Sequence, residues 1–261
     1  MRARQGPRNG GRALKESFPE QLRLFQRALL GLREKPAHFI TDGMMDHGPS
    51  RVNLRTWGLS IGGDIMCPLC KQYPQTTRHV LVSCPKALEQ HRYTMRHNRV
   101  LLTLAYAVRT VNPTAEVWFD LPGFGAMHPM LQNYAQELRP DGFVILDDVA
   151  YILELTAPSE ERMNIWNERK QAKYELIRLT LATARTKTCK IVAFEVGARG
   201  MPNNSCEKLK PLLGTQYGPT IINMSRSAIM GSYAIWSARQ TEEWVAHSAP
   251  VMPIDEGREQ A

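Results

Sequence analysis

The sequence lacks an apolar run of the ~20 residues that a bilayer-spanning helix needs; the stretch Val100–Val111 is broken by Thr103 and Arg109. Its opening, MRARQGPRNGGR, is basic and glycine-rich with no apolar segment behind it. Neither a secretory leader nor a membrane partner is therefore expected. There is no internal repeat. Cysteine is scarce and odd in number, five in 261 residues, which argues against a disulfide framework. What is not lacking is apolar content. At 43% it rules out a largely disordered chain, and the length suffices for one sizeable core, or one core plus a small module.

Lysine and arginine total 33 against 25 acids, a net charge of +8. That balance fits a polyanionic partner and fits a merely soluble basic protein equally well. The cysteines are more telling. Cys67, Cys70 and Cys84 fall together, while Cys189 and Cys206 stand alone. Such clustering points to metal binding in a reducing compartment. The spacing is C-x2-C-x8-H-x4-C through His79. A tight CxxC presents two thiolates from one turn, and a His and Cys from a turn of helix complete a tetrahedron. His91 and His97 could substitute for His79, which has the more compact spacing to Cys84. The alternative is three buried cysteines and a surface histidine. No open position or neighbouring carboxylate base is evident, so the expected ion is a structural zinc.

Along the chain, residues 1–12 read as a mobile tail. Residues 13–34 carry Leu22, Phe25, Leu29 and Leu32 at helical spacing, with Pro19 marking a break or a helix start. Residues 35–65 read as loop with a short element near Leu54–Leu59, residues 85–112 as one helix, and 113–130 as a turn-rich connector. Phe143–Leu146 and Val149–Thr156 read as two strands of a hairpin turning at Asp147-Asp148. A long helix is expected over 159–186, a third strand over Ile191–Val196, and helices over 205–213 and 224–240. The final SAPVMPIDEGREQA reads as disordered. This order predicts an α/β chain with a small mixed sheet flanked by helices.

Two acids stand out. Asp141 sits at the mouth of the first hairpin strand, and Glu154 lies inside the second, on the same face as Ile152 and Thr156. An acid within an apolar strand is costly to bury unless it is paired or holds a metal. On the long helix, Met163, Trp166, Ile177, Leu181 and Ala184 share an apolar arc, and Lys170 and Lys173 fall within it. Buried lysines need partners, and the available ones are Asp141, Glu154 or a phosphate. Paired acids on a divalent cation with a nearby lysine suit phosphodiester hydrolysis. A structural ion pair of Glu154 with either lysine fits the same residues.

The segments RTWGLS (55–60), CPLC (67–70), RHVLVSCPKAL (78–88) and RYTMRHNRVL (92–101) resemble the C-terminal region of site-specific non-LTR retrotransposon polyproteins. RPD (139–141), ILELT (152–156), ERKQAKY (168–174) and EVGARG (195–200) resemble their restriction-like endonuclease, of the PD-(D/E)XK superfamily. Similarity continues more weakly through AIMGSYAIWSAR (228–239). The resemblance implies a CCHC zinc knuckle on Cys67, Cys70, His79 and Cys84. It implies Mg²⁺ or Mn²⁺ on Asp141 and Glu154, and a catalytic lysine moved to the helix, Lys170 or Lys173. Thr156 occupies the usual lysine position, and Tyr174 matches an adjacent family tyrosine. The implied activity is nicking of target DNA in the nucleus, the freed 3′ end priming reverse transcription of element RNA. Arg78 replaces a family acid and Met95 a family tryptophan, and no reverse transcriptase is present, a partner normally on the same polypeptide. On this reading the chain divides into an N-terminal tail and helical arm (1–54), a knuckle (55–98), a restriction-endonuclease-like core (99–213) and a C-terminal helix and tail (214–261). It is then a fragment, a truncated copy or a domesticated remnant.

Arg92, Arg96 and Arg99, with His97 among them and Tyr93 interleaved, form a basic run after the knuckle. They could hold nucleic-acid phosphates with Tyr93 stacking on a base, form a solvated helix face, or, by resemblance, lock the knuckle onto the nuclease. Arg185, Lys187 and Lys190 could lie along DNA or complement a helix dipole. Glu195 reads as a paired core acid, and Gly197 and Gly200 as a tight turn around Arg199. The rival to a nuclease is a non-catalytic, zinc-stabilised nucleic-acid-binding module. A zinc-stabilised protein-interaction domain is the third possibility.

Overall fold

The computed structural model describes residues 18–59, 62–134, 138–184 and 188–244. The expected N-terminal and C-terminal tails, with Arg185 and Lys187, lie outside the described residues. Three helices come first: α1 (Pro19–Leu30), α2 (Glu34–Met44) and α3 (Arg51–Thr56). Pro19 opens α1 at its first turn, where a missing N–H costs nothing. The cysteine cluster follows, then α4 (Pro85–Glu89) and α5 (Arg92–Val111). The sheet strands are β1 (Glu116–Phe119), β2 (Gly142–Leu146), β3 (Val149–Thr156) and β4 (Thr188–Glu195), with α6 (Met163–Ala184) between the last two. A short α7 (Lys210–Leu213) leads into α8 (Tyr217–Ser237).

The sheet order is β1-β2-β3-β4; the first three strands are antiparallel and β3 and β4 parallel. The β2–β3 hairpin turns on Asp147 and Asp148, both with positive φ (49° and 61°). That is the two-residue turn whose twist matches the flanking strands, and aspartate tolerates it. The sheet is buried on both faces, which explains its near-continuous apolar strands. Val144, Tyr151, Leu153, Leu155, Val192 and Phe194 pack against α5 and α8 through Leu101, Leu104, Ile221 and Met224. On the opposite face Phe143, Ala150 and Ile152 pack against Tyr174, Ile177 and Leu181 of α6. Glu154 alternates onto this second face, toward α6.

A further cluster joins Phe25 of α1, Phe39 and Ile40 of α2, Val80 and Leu81 of the cysteine region, Met201, and Ile229, Ile235 and Trp236 of α8. The helical arm, the cysteine region and the C-terminal helix are therefore sewn together by shared apolar contacts. A buried ion pair adds to this: Glu160 Oε2 accepts from Arg199 at 3.0 Å. The backbone carrying Arg199 passes so close to Glu160 that a Cβ on Gly197 would collide with that carboxylate, and Gly200 turns with φ +90°.

The structure corrects three local expectations. Residues 34–44 are helical rather than loop, because Pro36 falls in the first turn, where proline is tolerated. Residues 85–112 form two helices, broken at His91, whose φ is +55°. The connector 113–130 contains β1, four residues paired with β2. Among the described residues, no helix is long and apolar enough to cross a membrane.

Candidate active site and metal cluster

The β2–β3 register pairs Gly142 with Leu153, so Asp141 arrives beside Glu154. The Leu155 amide donates to Asp141 Oδ2 at 2.7 Å, and the Asp141 amide lies 3.4 Å from Glu154 Oε2. Glu154 is only 3% exposed. Its Oε1 is ion-paired with Lys170, and its Oε2 accepts the Tyr174 hydroxyl at 2.7 Å. Burial raises the Glu154 pKa above the usual carboxylate range, and the Asp141 charge adds to this; Lys170 and Tyr174 offset it in part. Tyr174 is buried, and burial together with Glu154 pushes its own pKa up, so it stays a hydrogen-bond donor.

Lys170 is thus brought to the acids, as its place in the apolar arc implied. Lys173 is not. It is exposed, and its ammonium donates to the Tyr174 hydroxyl at 3.0 Å, reaching Glu154 only through that ring. Thr156 ends β3 without a cation, and its buried hydroxyl has no hydrogen-bond partner among the described residues. An exposed ion pair, Arg139 with Asp120, flanks the acids.

Sequence reasoning missed one neighbour. His97 Nε2 lies 3.1 Å from Asp141 Oδ2, and its Nδ1 lies 3.1 Å from Asn98 Oδ1. Burial alone would lower its pKa, but the bond to Asp141 outweighs this and raises it. The two residues are 44 positions apart, and no spacing rule connects them.

The cysteine cluster assembles from two pieces. The CxxC turn is closed by Cys67 N–H to Tyr73 carbonyl (2.7 Å) and Lys71 N–H to Cys67 carbonyl (2.7 Å), with Lys71 at φ +57°. The other half is a π-helical turn, His79–Ser83, which carries His79 over Cys84. Such turns recur at functional sites. The four ligand atoms of Cys67, Cys70, His79 and Cys84 all lie within 4.8 Å of one another, with Cys70 Sγ 3.3 Å from His79 Nε2. A tetrahedral ion with metal–sulfur bonds of ~2.3 Å fits this spacing. The Cys84 thiol holds the Cys67 pKa down to about 3, and Cys84 is raised in exchange. A closed Cys3His set of this kind could bind a structural metal such as zinc. His91 and His97 are not part of it.

The arginine run needs correction. Arg92 and Arg96 are buried, not a phosphate-facing stripe. Arg92 donates to the carbonyls of Ala238 (2.8 Å) and Thr241 (2.7 Å), tying the chain after α8 to the start of α5. Arg96 donates to Leu81 carbonyl (2.8 Å), Ser232 Oγ (3.0 Å) and Ala157 carbonyl (3.1 Å), and burial pushes its pKa down to about 10. The Tyr93 hydroxyl accepts from the Cys84 amide and donates to Val80 carbonyl, which spends it on the cluster rather than on a base. Arg99 is half-buried, and among the described residues its guanidinium makes no hydrogen bond or ion pair. Glu195 is fully buried and satisfied by Asn167, Asn203 and Ser205, a core acid held by amides and a hydroxyl. A groove of about 590 Å³ runs beside β4, lined by Lys190, Lys208 and the ion-paired Arg178 and Glu175; Asp141 and Glu154 do not line it.

No family model matches the chain, and a search of the curated proteins finds no match. A buried carboxylate, a second acid bonded to the neighbouring strand, an ammonium and a neutral phenol converge at one end of the sheet. Two carboxylates form a hard oxygen donor set, suited to Mg²⁺ or Mn²⁺ rather than to a softer ion.

Proposed function

We propose that the chain is a metal-dependent DNA endonuclease of restriction-like fold, carrying a structural zinc on its Cys3His cluster. One observation carries the reading: Glu154, buried inside β3, meets Asp141 across the hairpin and Lys170 from α6. Asp141 and Glu154 would hold Mg²⁺ or Mn²⁺, which when bound acidifies a water and screens the phosphate charge. The protein's own groups do the rest. Lys170, no longer needed to neutralise Glu154, is free to orient the attacking water or to offset charge on the phosphate. Tyr174 fixes Glu154 Oε2. Lys173 and Arg99, with Lys190 and Lys208 of the groove, supply positive charge for the nucleic-acid backbone. The resemblance to site-specific retrotransposon endonucleases agrees with this assignment and suggests a nuclear role in cutting target DNA for priming on element RNA, alongside a polymerase region.

A second reading has one observation in its favour: the ion pair of Lys170 with Glu154 is what a purely structural pair looks like. On that reading the chain is a non-catalytic nucleic-acid-binding module. Supercoiled-plasmid nicking separates the two. Zinc-loaded protein is assayed with Mg²⁺ or Mn²⁺, with EDTA, and as the Asp141→Ala and Glu154→Ala variants. Metal-dependent nicking lost in both folded variants supports the nuclease. A folded wild type that binds DNA with strong salt dependence but leaves the plasmid supercoiled supports the binding module.

A further inference from the structure

We propose that His97 is a positioning residue for Asp141, and that through it the Cys3His module sets the geometry of the acid pair. The inference rests on the metal-holding role proposed above for Asp141 and Glu154.

The constraint on His97 comes from its neighbour on α5. Arg96 and His97 are consecutive, so they point in directions about 100° apart. Arg96 is buried and bonded on both sides: to Leu81 carbonyl, inside the turn between His79 and Cys84, and to Ala157 carbonyl, just beyond β3. Ser232 of α8 closes the third side. The helix is thereby clamped to the metal cluster and to the end of the strand that carries Glu154. From this clamped position His97 Nε2 reaches Asp141 Oδ2 at 3.1 Å. A carboxylate offers only acceptors, so Nε2 donates there whether the ring is neutral or charged.

Asp141 Oδ2 thus accepts from two directions, the Leu155 amide along β3 and the imidazole from α5. Two donors on separate elements fix both the position and the rotation of the carboxylate. Among the described residues Oδ1 makes no hydrogen bond, which leaves one oxygen held and one available to a cation. Carboxylates that ligate metals are oriented in this manner by the groups behind them, and removing such a group typically costs about 10–100-fold in metal affinity. His97 touches neither substrate nor metal in this scheme; it acts through Asp141.

The test uses the full zinc-loaded chain and Mn²⁺ as probe. Mn²⁺ binding is titrated by electron paramagnetic resonance, and nicking is measured against Mn²⁺ concentration. The proteins are wild type, Asp141→Ala, His97→Ala, His97→Gln and His97→Asn. The glutamine amide places an N–H close to the position of Nε2, whereas asparagine stops short. The expected result for His97→Ala and His97→Asn is half-saturation by Mn²⁺ raised about 10–100-fold, with nicking largely recovered at saturating Mn²⁺. Zinc content stays that of wild type, and His97→Gln lies within a few-fold of wild type. If His97→Ala does not fold, the glutamine–asparagine contrast carries the test alone. Equal Mn²⁺ dependence in the His97 variants and wild type overturns the inference while leaving the nuclease intact. A loss of nicking that excess Mn²⁺ does not repair also overturns it. A wild type that neither nicks nor binds Mn²⁺ in an Asp141-dependent way removes the nuclease reading and this inference together.

Discussion

Arg96 donates a 2.8 Å hydrogen bond to the carbonyl of Leu81, at the centre of the turn that holds His79 and Cys84. A guanidinium buried to this degree is retained only where several acceptors surround it, and here three do. Arg96→Ala strips all three acceptors at once and opens a cavity. We expect it to lower stability by at least about 1–3 kcal/mol, the scale for leaving one buried acceptor unsatisfied, with the cavity adding to it. Arg96→Lys recovers little, because a single ammonium does not span the fork. Thermal or urea unfolding reads the loss. The salt dependence of DNA binding, measured on the fraction that folds, should keep its slope, since Arg96 faces no phosphate.

The cluster around Cys67 offers little apolar surface: Leu69 and Ala87 with the cysteines themselves, and Tyr93 against them. So small a core holds the CxxC turn weakly by burial alone, and a bound metal would supply the difference. Purified chain should contain one tightly held zinc. Chelation, or Cys70→Ser, should release it and loosen the CxxC turn, while Val80 and Leu81 stay in the shared core. Cys189→Ala, at a buried thiol remote from the cluster, should keep the full zinc content. A zinc-release assay with a colorimetric indicator, paired with circular dichroism, checks both.

Much of this arrangement was legible before the structure, and the exceptions have physical causes. The hairpin was readable because Asp147-Asp148 lies between two apolar runs and its residue type tolerates positive φ. The metal cluster was readable because its ligands sit close along the chain. Lys170 was readable because a cation in an apolar helical arc needs a partner. His97 was not, because its partner is brought in by tertiary packing rather than by spacing. For Arg92 and Arg96 spacing alone leaves three roles open; burial excludes a phosphate-facing stripe and a solvated face, and carbonyls of three separate segments receive their guanidinium groups, as a lock between the cysteine region and the sheet requires. Helix α2 was masked by Pro36 and Gly43, which break a helix only away from its ends. Strand β1 was masked by its brevity.

Glu154 gives a pH prediction with a definite sign. Burial, with Asp141 second, raises its folded-state pKa above the ordinary value of 4.5. A raised folded pKa means the folded protein holds the proton more tightly than the unfolded chain does. The associated stability is fully present below the unfolded value and is lost as pH rises through the folded value. The neutral isostere Glu154→Gln lacks this contribution. Wild type should therefore gain stability relative to Glu154→Gln as pH falls from neutrality toward 4.5. Urea unfolding midpoints of the two proteins across that range give the answer. Protons should also displace Mn²⁺ from wild type at a pH above that of an ordinary carboxylate site.

Lys170 and Lys173 are three residues apart, yet their surroundings assign them different work. Lys170 is partly buried against Glu154, and Lys173 is exposed and reaches the acid only through the Tyr174 hydroxyl. If Lys170 orients the water or meets the phosphate, Lys170→Met should lower the nicking rate at saturating metal by about 10²–10⁴-fold, the usual scale for a positioned proton-handling or charge-stabilising group. Lys173→Met should weaken DNA binding and leave the maximal rate within about tenfold. Because Lys170→Met also leaves the Glu154 charge without its cation, its folding must be compared in the presence of Mn²⁺, which restores a positive partner to the acid. A rate loss that persists in Mn²⁺-saturated, folded Lys170→Met assigns the lysine to the chemistry. A rate that returns to wild type under those conditions assigns it to holding Glu154 in place.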